Sequence, residues 1–384
     1  MRWLVALALV VGLGGLAAWA LRAGAPPRGQ TTSAAIAALQ APADSGFARV
    51  TAPRAFQFPR DHGPHPEYKT EWWYYTGNLE AEDGERLGFQ LTFFRQGLAP
   101  EIPGAPARAS DWATRQAYMA HFAMTRASDD RFVSAERFSR GAAGLAGAQA
   151  DPYRVWLEDW EAGADGDAVR LRAANGNNRL DVRLRPVKPV VLQGNQGLSQ
   201  KSDEPGNASY YYSLTRLEAD GTLTLDGQTY RVSGTAWLDR EFGTSALGPD
   251  TVGWDWFALQ LADNREIMFY QLRRTDGATE PQSSGSLVAA DGATIPLSRD
   301  DVKIDVLATW TSPRTGAVYP ARWRFQIPAQ GIDLQVTPLA PDQELDVSYA
   351  YWEGAVQVAG MAEGYGYVEM TGYAPPGRSV APTR

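Results

Sequence analysis

Residues 71–79 read EWWYYTGNL and, after a polar turn, residues 88–95 read GFQLTFFR. A second aromatic hairpin of the same kind comes much later, with WDWFALQL at 254–261 and IMFYQLR at 267–273. A motif of this length that occurs twice indicates duplication of a whole β-unit. The duplication favours two related β-domains over one larger domain.

Further segments repeat in the same order along the chain. Four pairs match: residues 155–160 with 304–310, 180–184 with 332–336, 210–212 with 349–352, and 232–237 with 368–373. Each match is weak alone, because aromatic strands of unrelated β-proteins look alike. Their common order makes duplication the leading interpretation, with loops inserted at 97–117 and 193–209 of the first copy.

Turn signals separate the predicted strands after residue 52. They are Asx-Gly pairs, typical of β-hairpins, at Asp83-Gly84, Asp165-Gly166, Asn175-Gly176, Asp220-Gly221, Asp226-Gly227, Asp276-Gly277 and Asp291-Gly292. The 13 Trp, 16 Tyr and 13 Phe residues also suit strands. We therefore predict an all-β, antiparallel fold whose strands have the spacing of β-barrels.

The chain length fits two domains, since 384 residues can form two ordinary hydrophobic cores. We predict an N-terminal domain at 53–245, a C-terminal domain at 246–376 and a tail at 377–384. The boundary is placed between Gly243 and Gly253, where the strand pattern breaks.

The N-terminus has the pattern of an export signal. Arg2 precedes an uncharged apolar run, and Ala18-Trp19-Ala20 resembles a small-x-small cleavage site. We predict a signal peptide at 1–21, a flexible linker at 22–52 and a periplasmic or secreted body. The alternative is an uncleaved anchor in the inner membrane, because the apolar run is just long enough to span a bilayer.

Charge and composition exclude several classes of function. The net charge of −8 argues against nucleic acid as a partner. The absence of cysteine excludes disulfides, thiolate metal sites and a cysteine nucleophile. The chain also lacks the Gly-x-Ser-x-Gly, phosphate-loop and dinucleotide motifs. We therefore expect no cofactor.

The three histidines are His62, His65 and His121. A His-x-x-His pair is a familiar metal-ligand pattern, but the Gly and Pro between His62 and His65 preclude helical spacing, so we predict no metal site. His65 is a candidate acid or base near neutral pH. His121 lies on a predicted apolar strand, where a hydrogen-bonded interior residue and a polar pocket group are equally plausible.

Asp239 and Glu241 form the densest acidic pair in an aromatic neighbourhood. On a strand their side chains point to one face and Arg240 points to the other. Two neighbouring carboxylates repel each other, so one of them would keep its proton and act as a donor. The alternative is a structural ion network in which Arg240 pairs with Glu71 or Asp255.

Glu71 and Asp255 occupy nearly matched positions beside tryptophans in the two copies of the hairpin. A carboxylate among indoles is expected to have a raised pKa because it is poorly solvated. Alternation along residues 72–75 places aromatic side chains on both faces of the strand, one towards the barrel and one towards a neighbour.

Several motifs resemble one known group of proteins. They are DHGPH at 61–65, EWWYYTGNL at 71–79, AHF at 120–122, GTAWLDREFG at 234–243 and GWDWF at 253–257. The chain resembles the two-domain lipocalin-like family that includes carotenoid 1,2-hydratase (hydroxyneurosporene synthase) and AttH-type secreted bacterial proteins. The resemblance covers about residues 55–375. It implies two lipocalin-like β-barrels packed side by side.

The resemblance also implies a kind of chemistry. Enzymes of this family hydrate, cyclise or isomerise hydrophobic polyenes and related natural products by acid–base chemistry without a cofactor. The chain is closer to the exported AttH-type members. Where the hydratases are expected to have a His- and Trp-containing acid site, it has Asp239-Arg240-Glu241, which argues against carotenoid hydration specifically.

Three functions follow from these observations. The first is an exported protein that binds a hydrophobic small molecule, such as a lipid, isoprenoid or polyene, in a barrel or interdomain pocket. The second is a cofactor-independent hydratase or isomerase, with Asp239 or Glu241 as proton donor and Glu71, His65 or His121 orienting or activating water. The third is a structural partner in a membrane complex, such as a transport complex. In the second function, Trp73, Trp254 and Trp256 would stabilise developing positive charge through their indole rings. The candidate ligand contacts are Trp73, Tyr75, Trp237, Arg240, Trp254, Asp255, Trp256 and Tyr270.

Overall fold

The computed structural model describes residues 46–100, 110–245, 247–248 and 250–374. This part of the chain is all-β, and its only helical elements are 3₁₀ turns at Arg60–His62, Arg299–Asp301 and Pro328–Gln330. The predicted export segment, most of the linker, the tail and part of the loop at 97–117 lie outside the described residues. No helix in the described part of the chain has the length and hydrophobicity that a membrane crossing requires.

The first sheet contains thirteen strands and is nearly closed into a barrel. The strands are β1 (Thr70–Ala81), β2 (Arg86–Gly97), β3 (Gln116–Arg126), β4 (Arg131–Arg140), β5 (Ala146–Ala150), β6 (Tyr153–Leu157), β7 (Trp160–Asp165), β8 (Ala168–Asn175), β9 (Asn178–Pro186), β10 (Val191–Leu192), β11 (Leu198–Gln200), β12 (Ala208–Leu225) and β13 (Gln228–Ser245). Their order in space is β4-β3-β2-β1-β13-β12-β9-β8-β7-β6-β5, and the short β10 and β11 pair with β12.

The second sheet contains nine strands and forms a half-barrel. The strands are β14 (Thr251–Leu261), β15 (Glu266–Arg274), β16 (Ser284–Val288), β17 (Thr294–Ser298), β18 (Lys303–Thr311), β19 (Val318–Ile327), β20 (Ile332–Pro338), β21 (Trp352–Gly360) and β22 (Gly364–Met370). Their order in space is β17-β16-β15-β14-β22-β21-β20-β19-β18.

The two sheets share one strand order. The nine strands of the second sheet follow the same path as those of the first from β4 to β7, so that β14 takes the place of β1 and β22 that of β13. This shared order supports the duplication predicted from the sequence. One predicted match is wrong: residues 155–160 cross from β6 into β7, whereas 304–310 lie within β18 alone. The tight turn between Leu157 and Trp160 makes two strand ends resemble one strand.

One predicted turn is also wrong. Asp226-Gly227 joins β12 to β13 as expected, but Asp220-Gly221 lies within β12. A Cβ atom on Gly221, whose φ is 151°, would lie 2.2 Å from the carbonyl oxygen of Asp181 on β9. Glycine is therefore required here for the close approach of two strands rather than for a turn.

The barrel interiors are filled by apolar side chains. In β1, Trp73 and Tyr75 point into the first core, whereas Tyr74 packs towards the second sheet. In β14, Phe257 points into the second core and Trp256 packs towards the first sheet. The two-faced aromatic pattern predicted for residues 72–75 is thereby confirmed. Its outward face belongs to the junction between the sheets.

A buried ion cluster joins the two sheets. Glu266 of β15 lies 2.6 Å from Arg216 Nε of β12 and 2.8 Å from Lys188 Nζ, and its side chain has no exposed surface. The Lys188 ammonium also donates to the Ala289 carbonyl at 3.0 Å. A cation of β12 and a cation of the segment between β9 and β10 therefore share one carboxylate of the second sheet.

We predict that Glu266→Ala will weaken the association of the two sheets. The substitution leaves two largely buried cations without their carboxylate, and loss of one partner from a buried ion pair costs about 3–5 kcal/mol. Urea denaturation would measure the loss in the free energy of unfolding. Glu218→Ala is the matched control, since it removes an exposed pair with Arg185, and equal stability losses in both variants would contradict the prediction.

Candidate functional site at the junction of the two sheets

A cavity of about 320 Å³ lies between the two sheets. Strands β1, β2, β3, β4, β12 and β13 form one side, and β14, β15, β21 and β22 form the other. Its walls are mainly apolar, and the aromatic lining residues include Trp72, Tyr74, Tyr211, Trp254, Trp256 and Tyr351. Carboxyl side chains from both sheets enter this apolar space.

Asp239 lies on β13 and is almost completely buried in the cavity wall. Its carboxyl group accepts hydrogen bonds from Ser213 Oγ at 2.6 Å, from Trp237 Nε1 at 2.7 Å and from the Tyr211 hydroxyl. Burial raises its pKa from the ordinary 3.8 to about 7, although these hydrogen bonds favour the charged form. Asp239 can therefore hold a proton near neutral pH.

Glu241 lies two residues further along β13 and also lines the cavity. It accepts a hydrogen bond from Ser209 and lies 3.2 Å from the Lys201 ammonium. Burial opposes the charge on Lys201, but the Glu241 carboxylate raises the pKa of that lysine above its usual value. The ammonium also lies 3.8 Å from the centre of the Tyr270 ring. Glu241 and Lys201 therefore form a charged pair.

Glu353 and Glu369 are the carboxyl groups that the second sheet adds to the cavity. They are directly opposite each other on β21 and β22. Burial and the charge of Glu369 raise the pKa of Glu353 well above its usual range, and its carboxyl accepts a hydrogen bond from Tyr74. Burial likewise raises the pKa of Glu369 to about 8, and the charges of Asp239 and Glu241 add to this shift.

Glu71 differs from the other carboxyl groups because it is surrounded by cations. Its carboxylate lies 2.7 Å from Arg240 Nη2 and 2.9 Å from Arg95 Nε. Although burial disfavours the charge, these guanidinium groups hold the pKa of Glu71 well below its usual range. The raised pKa predicted for Glu71 is therefore wrong, and the residue is a permanent carboxylate. Arg240 pairs with Glu71 rather than with Asp255.

The two histidines predicted as catalytic lie outside the cavity lining. His65 bonds to Glu71 Oε1 at 2.8 Å and to Asp61 Oδ1 at 3.1 Å, with its ring stacked on Phe242. His121 is fully buried, with Nδ1 2.7 Å from the Tyr351 hydroxyl and Nε2 2.9 Å from Glu136 Oε1. Each histidine has one partner in the cavity lining, Glu71 for His65 and Tyr351 for His121.

His62 and His65 have separate hydrogen-bond partners and do not form a pair of metal ligands. His62 Nδ1 lies 2.7 Å from the Tyr212 hydroxyl, while both nitrogens of His65 are engaged by carboxylates. Among the described residues, no group of three or more His, Asp or Glu side chains is arranged to hold a metal ion.

The predicted ligand contacts are of three kinds: residues that line the cavity, a residue that supports the lining, and residues that lie away from the cavity. Trp254, Trp256 and Tyr270 line the cavity. Trp237 supports it from behind through its bond to Asp239, and Trp256 similarly donates to the Tyr211 hydroxyl at 3.1 Å.

The remaining predicted contacts lie away from the cavity. Trp73 and Tyr75 belong to the first core, and the Arg240 guanidinium lies 4.1 Å from the Trp73 ring centre. Asp255 accepts from the Tyr373 hydroxyl at 3.0 Å and pairs with Arg273, while burial raises its pKa as predicted.

Sequence reasoning missed most of the cavity lining, including the polar residues Tyr74, Lys201, Tyr211, Glu353 and Glu369. The signal for Glu369 was present, because an acidic residue between Val368 and Met370 interrupts an apolar strand. Lys201 gave no such signal, since it lies in the polar loop at 193–209 that was recognised only as an insertion.

The family model described as AttH-like matches residues 49–373. The chain belongs to the AttH-like family. This match confirms the family indicated by the sequence motifs. No curated protein sequence matches the chain.

Solved structures similar to this AttH-like chain share its two-barrel fold. An AttH protein from Nitrosomonas europaea is 35% identical, with 85% of this chain and 100% of that one covered and a TM-score of 0.77. Kievitone hydratase from Nectria haematococca is 16% identical, with 87% and 98% covered and a TM-score of 0.62. CghA with Sch210972 is 15% identical, with 88% and 98% covered and a TM-score of 0.50. At these last two identities the likeness concerns the fold alone.

The buried acids of this AttH-like protein predict a pH-dependent stability. The pKa values of Asp239 and Glu369, about 7 and about 8 when folded, exceed their ordinary values of 3.8 and 4.5. The folded state therefore binds these protons more tightly, and their contribution to stability is complete below the ordinary values and lost as pH rises through 7 and 8. Urea denaturation at a series of pH values should show the free energy of unfolding falling over this window.

Asp239→Asn tests whether Asp239 contributes to this fall in the free energy of unfolding. The amide cannot ionise, so the variant should lose the part of the decline that Asp239 contributes between its ordinary pKa of 3.8 and its folded pKa of about 7. A decline of the same steepness in wild type and variant would show that Asp239 is already ionised in the folded protein.

Proposed function

We propose that this AttH-like protein binds a hydrophobic small molecule in the cavity between its two sheets. The observation that carries the proposal is the cavity itself, which has aromatic walls on both sides and a volume of about 320 Å³. Binding pockets for small molecules are typically apolar clefts of roughly this size with a few polar groups, and they are common at domain interfaces.

The polar groups of the cavity suit a ligand that is mostly uncharged. Lys201 is the lysine of the lining, and its charge is balanced by Glu241. Arg95, also in the lining, is bound to Glu71 at 2.9 Å. Burial raises the pKa values of the other acids of the wall, Asp239 and the pair on β21 and β22, which favours their neutral forms. An isoprenoid, a polyene or a related lipid-like molecule fits these conditions.

Filling the cavity should abolish binding. Ala117 lines the cavity from β3, and Ala117→Trp would place a bulky ring in the ligand's space. We expect the affinity for the neutral fluorescent probe N-phenyl-1-naphthylamine to fall about tenfold or more, in line with the cost of overpacking. Fluorescence titration would measure it.

Ala164→Trp is the matched control for this test. Ala164 is exposed on β7 and is not part of the lining. Loss of probe binding in Ala117→Trp alone supports the proposal. Equal binding in both variants, or no binding to the wild type, would rule out the cavity as a hydrophobic site.

A second candidate function is addition of water to a carbon–carbon double bond of the ligand. The observation that favours it is the neutral acid in an apolar site, since Asp239 can hold a proton near pH 7. Kievitone hydratase, which shares the fold, is named for a hydration. In such a reaction the Asp239 proton would bond to one alkene carbon and a water oxygen to the other. The Asp239 carboxylate would then take the proton released by that water, which restores the acid.

Deuterium incorporation tests this candidate without knowledge of the product. Ligand extracted from the purified protein would be incubated with wild type or Asp239→Asn in heavy water and examined by mass spectrometry. We expect the wild type to place deuterium on carbon and the variant to do so at least about 100-fold more slowly, the usual contribution of a general acid. Equal incorporation by both proteins, or none by the wild type, would exclude Asp239 as a proton donor to carbon.

A further inference from the structure

Glu369 and Glu353 are the acids of the cavity wall with the least engaged carboxyl groups, but the unpartnered Oε2 of Glu353 is fully enclosed by protein. Among the described residues the Glu369 side chain has one hydrogen-bond partner, the Trp254 indole, which donates to Oε1 at 3.0 Å. Asp239, by comparison, receives three hydrogen bonds on its two oxygens. The second oxygen of Glu369 therefore remains available to a molecule in the cavity.

The position of Glu369 follows from the alternation of β22. Its neighbours Val368 and Met370 belong to the second hydrophobic core, so the Glu369 side chain points to the outer face, where it lines the cavity. Trp256 and Glu353 are its direct neighbours on the adjoining strands. The Trp254 bond fixes one oxygen, so that the other is held towards the ligand.

The charges around Glu369 favour its neutral form. Glu353 lies opposite on β21, and Asp239 and Glu241 of β13 are close enough to act on it electrostatically. Lys201, the lysine that enters the same cavity, is bound to Glu241 at 3.2 Å. No arginine or lysine of the described residues pairs with Glu369. A carboxyl group in these surroundings is a hydrogen-bond donor.

We propose that Glu369 donates a hydrogen bond to a neutral oxygen, such as a ketone, ester or ether oxygen, on an otherwise apolar ligand. The inference rests on the proposed binding function and narrows its ligand class. It disfavours free fatty acids and other anionic lipids beside Glu369, because Glu353 faces it on β21 and Lys201, the lysine of the lining, is already bound to Glu241 at 3.2 Å. A buried donor that pairs with a ligand oxygen discriminates against ligands that lack this oxygen, because it is then left without a partner.

A matched pair of probes tests this assignment. In 2-acetylnaphthalene a ketone oxygen stands where 2-isopropenylnaphthalene has a methylene group, and the two molecules otherwise have nearly the same shape. At mildly acidic pH we expect the wild type to bind the ketone about fivefold more tightly, the worth of one neutral hydrogen bond. Calorimetric titration would give both affinities, and 2-naphthoate should bind more weakly than either.

Two variants separate the hydrogen bond from the shape of the site. Glu369→Leu removes the donor at similar volume, so it should bind both neutral probes equally. Glu369→Gln keeps a donor in its amide group and should retain the ketone preference. The carbonyl stretch of bound 2-acetylnaphthalene should lie at lower frequency in the wild type than in Glu369→Leu, since hydrogen bonding weakens the C=O bond.

The outcomes distinguish this inference from the proposed function. If Glu369→Leu keeps the ketone preference, or if the wild type has none, Glu369 is not the donor, although binding of both probes would still support the hydrophobic site. If neither probe binds the wild type, the proposed function fails and the inference fails with it. Tighter binding of 2-naphthoate than of the ketone would overturn the neutral ligand class. Thermal unfolding of the variants would confirm that they are folded.

Discussion

The strands at the centre of the molecule must fit apolar surroundings on both of their faces. Strands β1 and β13 of the first sheet and β14 and β22 of the second line a packed barrel with one face and the neighbouring sheet with the other. A carboxyl group on either face is therefore removed from water, and its charge is stabilised only where a cation lies beside it. This constraint divides the acids of these strands into two kinds.

Glu71 and Asp239 illustrate the two kinds. Both are buried on neighbouring strands of one sheet. Glu71 has two guanidinium partners and remains charged. Asp239 has only neutral hydrogen-bond donors, and its raised pKa of about 7 lets it keep its proton at pH values below 7. The pKa values of the two groups differ because their neighbouring side chains differ, since both groups are buried. The ion pairs of Glu71 connect neighbouring strands of the first barrel, whereas the neutral acids supply protons and hydrogen bonds to the cavity.

The sequence predicted the parts of this arrangement that depend on local pattern. Alternation in residues 72–75 identified the two faces of β1, and the repeated hairpins identified two related sheets. The pKa of Glu71 was predicted in the wrong direction because Arg95 is 24 residues away in sequence and contacts Glu71 only through strand pairing. Glu353 and Glu369 were missed for a related reason. Each is a single acid in its own segment, and they become a pair only when β21 and β22 align.

The packing of the barrels determines which residue positions of this protein can be substituted without loss of folding. Trp73 and Tyr74 are adjacent in sequence, yet the first belongs to the hydrophobic core and the second to the cavity wall. Along such strands every second residue determines folding and the residues between them determine recognition. Substitutions that reshape the ligand space can therefore accumulate at alternate positions while the core stays intact, so one scaffold can acquire many chemical specificities without being rebuilt.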